Sequence, residues 1–159
     1  MSWIVKTKKL WKTSLLVAGV FSSGMALYHF ILPYHLGWKD SIIEVTAMIN
    51  WAIFSLNHFF SFLLLWGGII TIITAFRWEK VDLLGYGILV GMGLFWIFNA
   101  SYQIFIPMPL PDRLIVLKWG LLTFSVFLVI LYILAVSLRF SEAIKKKQVK
   151  DEQSFVKSD

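Results

Sequence analysis

His29, Asn57, His58, Asn99 and Gln103 are side chains with hydrogen-bonding or metal-binding chemistry set inside long apolar stretches of the chain. An imidazole can hold a haem iron, move a proton or hydrogen-bond, and a carboxamide both donates and accepts. Such groups are costly in hydrocarbon and turn toward the interior of a helix bundle. Four kinds of role fit the set. The residues could form an interhelical hydrogen-bond network, or line a pocket for an apolar ligand with a polar head, such as a quinone, a sterol-like molecule or a lipid. His29 and His58 could instead ligate haem, or histidine and Glu44 could relay protons. Much other chemistry lacks its residues. The chain has no cysteine, hence no thiol nucleophile and no thiolate metal site. None of its apolar stretches holds a carboxylate, so a di-metal carboxylate site lacks its glutamates. No catalytic residue is assigned. The expected role is a non-catalytic one, either binding a lipid or small apolar ligand or serving as an accessory subunit of a membrane complex. The alternative is a redox protein in which His29 and His58 bind haem or face a quinone.

The elements that must position these residues are transmembrane helices. With 58% hydrophobic residues gathered in long runs, the chain falls in the membrane class. A helix needs roughly 20 apolar residues to cross the hydrocarbon core. Four stretches approach that length: 15–32, 51–76, 83–106 and 114–138. The expected fold is therefore an all-α, four-helix transmembrane bundle over residues 1–140, followed by a polar basic tail, 141–159. Pro33 is expected to stop the first span, and the short polar turn from Arg77 to Asp82 to set the second and third side by side. A cleaved leader is a rival reading of the N-terminus, weakened by the apolar run that continues through Leu32.

Basic residues give an orientation. Twelve of the fifteen Lys and Arg lie in the N-terminal flank, the connection after the second span and the C-terminal flank, against three in the other two connections. The positive-inside rule then puts both termini in the cytoplasm, with the plasma (inner) membrane as the expected location. No basic face of a folded domain is visible, so nucleic acid is not an expected partner.

Within this frame the five polar residues lie one to two turns inside the outer face. Gly19, Ser22, Ala26 and His29 share one side of the first span, and small residues there admit another helix. Asn57 is expected to bond with Asn99 or Gln103. Gly87 and Gly91 form a small-xxx-small pair, favouring close packing within the chain over a homodimer seam. The last span reads as scaffold. Between the first two spans, Ser41 and Glu44 have capping-box spacing, opening an amphipathic helix along the outer surface with a bend near Met48 to Trp51. His35 and Glu44 would then belong to a lid over the cluster.

The run Gly24-Met25-Ala26-Leu27-Tyr28-His29-Phe30-Ile31-Leu32-Pro33 resembles the opening helix of DoxX-like small membrane proteins, and Trp66-Gly67-Gly68 is compatible with their second helix. The resemblance covers about a quarter of the chain. It implies a four-helix bundle and, through some members, quinone-linked or redox partners; it carries over no functional residues.

Overall fold

A computed structural model describes residues 2–38, 46–77, 81–107 and 115–156. The described chain is almost wholly helical: α1 (Ser2–His35), α2 (Ala47–Phe76), α3 (Leu83–Phe105) and α4 (Ile115–Val156). Each contains a segment long and apolar enough to cross a membrane: Lys6–His35, Ala47–Phe76, Leu83–Phe105 and Ile115–Lys145. The outward faces remain rich in exposed Leu, Ile, Phe and Trp, as expected of helices whose solvent is lipid.

Contacts at the two ends fix an antiparallel arrangement. At the end that carries the termini, the Lys12 ammonium lies 4.6 Å from the Phe76 ring centroid, joining the start of α1 to the end of α2. There Arg139 pairs with Glu142 at 3.1 Å and reaches the Val81 carbonyl, which ties α4 to the approach of α3. Asp82 caps α3 by accepting from the Gly85 N–H at 2.8 Å. At the far end α1 meets α2 through Asn57, and α3 meets α4 through Gln103.

α1 packs along α2 most extensively and also against α4, while α3 packs on α4. The closest seam is α1–α2. A Cβ on Gly19 would lie 2.8 Å from the Gly68 carbonyl oxygen, and one on Gly68 would lie 2.9 Å from the Ser23 nitrogen. Only glycine permits that approach. By contrast, α2 and α3 touch sparsely despite their short connection. Few residues separate them in the chain, but among the described residues no comparable glycine-to-backbone crossing draws them together. Side chains span the gap instead: Phe60 faces Phe95, and the Met92 thioether sits on Gly67.

Several expectations need correction. Pro33 does not stop α1, which runs on to His35 with the proline buried inside it. α2 runs from Ala47 without a break, so the stretch from Met48 to Trp51 is helical rather than a hinge. α4 extends beyond its apolar span into the polar basic segment, continuing to Val156, and Glu142 is buried. Gly87 and Gly91 have no atom within 4 Å of an added Cβ and sit on the outward face of α3, so they take no part in packing within the chain. Ser41 and Glu44, and with them the capping box and most of the expected lid, lie outside the described residues.

A candidate ligand pocket between the four helices

Proline in a helix lacks the N–H that would bond the carbonyl four residues back, leaving that carbonyl orphaned. For Pro33 the carbonyl is that of His29. Asn57 on α2 supplies the missing donor, its Nδ2 lying 2.8 Å from His29 O. Asn57 therefore does not pair with Asn99 or Gln103. It repairs a backbone defect on a neighbouring helix, a device that bilayers require because no water is present to do it.

Asn99 and Gln103, one helical turn apart on α3, converge on Ser125 of α4. Gln103 Nε2 donates to Asn99 Oδ1 at 2.6 Å and to Ser125 Oγ at 2.9 Å. The Ser125 hydroxyl lies 2.8 Å from Asn99 Oδ1 and 2.9 Å from its own helix's Leu121 carbonyl. The last helix thus contributes to the cluster and is more than scaffold. Asn99 Nδ2 and Gln103 Oε1 stay outside this triangle, a donor and an acceptor with no partner among the described residues.

His29 and the Asn99 triangle share a cavity of about 350 Å³. That is the lower end of the size of ordinary small-ligand sites. Every helix lines it: Met25 and His29 from α1, Phe60 and Leu64 from α2, Phe95 to Gln103 in part from α3 with Ile106 and Pro107 just after it, and Lys118 to Ser125 in part from α4. His29 Nδ1 is buried without a hydrogen bond; Asn57, whose Nδ2 serves the backbone, also stands against the imidazole side chain. The imidazole edge rests on Phe60 with ring centroids 5.1 Å apart. From there edge-to-face or tilted contacts run through Phe95, Trp96 and Phe124 to Phe21, so an aromatic belt passes round all four helices at this level.

His58 does not line the cavity. Its Nδ1 lies 2.7 Å from the Phe54 carbonyl of its own helix, and its ring lies against Phe30. The two histidines are therefore not offered to one iron between them. No group of three His, Cys, Asp or Glu side chains able to hold a metal occurs among the described residues. His35 is exposed at the end of α1 and does not line the cavity.

Below the pocket lies a second network. Trp96 Nε1 donates to Ser22 Oγ at 3.1 Å, Ser22 meets the Tyr132 hydroxyl at 3.4 Å, Tyr132 meets Thr71 Oγ1 at 3.1 Å, and Thr71 donates to Gly67 O at 2.8 Å. With each hydroxyl owning one proton, the directions follow: Trp96 to Ser22 to Tyr132 to Thr71 to the backbone. One residue comes from each helix, and all four are buried. Ser22 shares the small-residue face of the first span in the sequence, but Thr71 and Tyr132 carry no signal beyond being polar atoms in an apolar run.

Together these features define a four-helix bundle of the multi-pass membrane class with an internal pocket near one end. Neither the protein-family models, nor the curated proteins, nor the solved structures contain a match to this chain.

Proposed function

We propose that this protein is a non-catalytic, multi-pass membrane protein that binds a lipid or small apolar ligand in the pocket between its four helices. The observation that carries the reading is a cavity with a mainly apolar wall on which His29, Asn99, Gln103 and Ser125 converge. Such a combination is the usual form of a small-molecule site. A pure packing role suits these residues less well. The network from Trp96 to Gly67 already joins all four helices, while His29 Nδ1, Asn99 Nδ2 and Gln103 Oε1 are left with capacity. The distribution of basic residues supports both termini lying in the cytoplasm, at the plasma (inner) membrane. The DoxX-like wording of α1 contributes the bundle architecture to this reading and no residue roles. In an accessory-subunit or homodimer role, the outward face around Gly87 and Gly91 is where a second transmembrane helix would fit.

The test is native mass spectrometry of protein released from mild detergent. Wild type should retain an amphiphile-sized adduct that Met25→Trp, which fills the cavity, reduces without changing the melting temperature. Wild type that carries no adduct, even after incubation with single-chain amphiphiles, would overturn the reading.

A further inference from the structure

The pocket is graded along the bundle axis, and the gradient states what its ligand must look like. Its deeper lining is Met25, Leu64, Phe95 and Trp96, beside the Ser22–Tyr132 network. One to two turns toward the far end of the bundle come His29, Asn99 and Gln103. Outermost is Lys118, two turns along α4 from Ser125, half-buried, with its ammonium 6.0 Å from the Trp119 ring centroid. Among the described residues, Lys118 is the lining's formally charged side chain, and no Asp or Glu lines the cavity. It makes no ion pair among the described residues. Deeper in the same cavity, Asn99 Nδ2 is a donor outside the amide triangle, because Asn99 Oδ1 already receives both Gln103 and Ser125.

We infer that the ligand is a single-chain amphiphile with an anionic head, a carboxylate or phosphate monoester, bound tail-inward with its head between Lys118 and Asn99. The inference rests on the proposed binding role and specifies its ligand class. A cation with no acidic neighbour among the described residues, in a partly desolvated mouth, favours an anion, and a charge-assisted hydrogen bond is about twice as strong as a neutral one. Gln103, which also lines the cavity, has Oε1 outside the triangle as an acceptor for a protonated head group. A cavity of about 350 Å³ is too small for the two chains of a phospholipid.

The experiment compares oleate, oleyl phosphate and oleyl alcohol, which share a tail and differ in head charge, binding to the full chain in nanodiscs of zwitterionic lipid. Wild type should bind both acids about tenfold more tightly than the alcohol. Lys118→Gln should remove that preference, and Lys118→Arg should preserve it. Equal binding of all three compounds, or a preference that survives Lys118→Gln, overturns the anionic head while leaving the pocket as a binding site. Failure of all three to bind wild type overturns the pocket and this inference together. Oleate and oleyl phosphate then separate the two acidic heads by their relative affinity.

Discussion

At the scale of single residues, the partnerships are set by what each group would otherwise lack. Asn57 serves the carbonyl that Pro33 leaves open. Asn57→Leu should therefore lower stability in detergent by about 1 kcal/mol. In a Pro33→Ala background, where residue 33 regains its N–H, the same change should cost much less. A double-mutant cycle on melting in denaturant reads this coupling directly, and additive effects would refute the repair role. Tyr132 is the middle link of the directional chain, accepting from Ser22 and donating to Thr71. Tyr132→Phe keeps the ring and removes both bonds, so it should cost about 1–2 kcal/mol. Ser22→Ala should then add less in the Tyr132→Phe protein than it costs alone, since both act on one network. These pairings explain why the site was only half legible in the chain. A carboxamide in an apolar run announces that it needs a partner. Which partner depends on helix rotation, and the orphaned carbonyl of His29 was one proline away from being inferred.

At the scale of helices, glycine identity matters only where backbones meet. Glycine costs up to about 1 kcal/mol in a helix relative to alanine, so a Gly→Ala change in open space should be neutral or slightly stabilising. Gly87→Ala and Gly91→Ala are such cases in the isolated chain. At Gly68 an added methyl would meet the Ser23 nitrogen at 2.9 Å and the Gly19 carbonyl at 3.0 Å, and neither backbone can yield without parting α1 from α2. Gly68→Ala should lower the thermal midpoint clearly, by an amount consistent with overpacking of roughly 1–3 kcal/mol. The chain displays its glycines without saying which face a partner. Gly87 and Gly91 have the spacing of a packing motif, yet Gly19 and Gly68, on different helices, make the seam. Spans were easier to read than seams because hydropathy is a property of one helix and a crossing is a property of two. The same limit explains Pro33: read alone it ends a helix, but a neighbouring amide lets the helix continue.

At the scale of the whole molecule, four apolar helices follow from composition and run length, and the structure contains four helices of that kind. Their hydrophobic lengths sit near those that bilayers require, with α3 at 23 residues the shortest. Orientation rests on charge alone. The proposed orientation, drawn from positive-inside asymmetry, would put Ser141 on the cytoplasmic side and Leu36 on the outer side. Both positions are exposed, and the chain has no cysteine, so single substitutions report cleanly. A membrane-impermeant maleimide applied to intact cells should label Leu36→Cys at once and Ser141→Cys only after permeabilisation. The reverse pattern would invert the bundle, turning the Lys118 end of the pocket toward the cytoplasm and making cytoplasmic amphiphiles its source. Labelling of both residues from outside would show that the termini end and the Leu36 end are not on opposite sides, which four antiparallel crossings cannot accommodate.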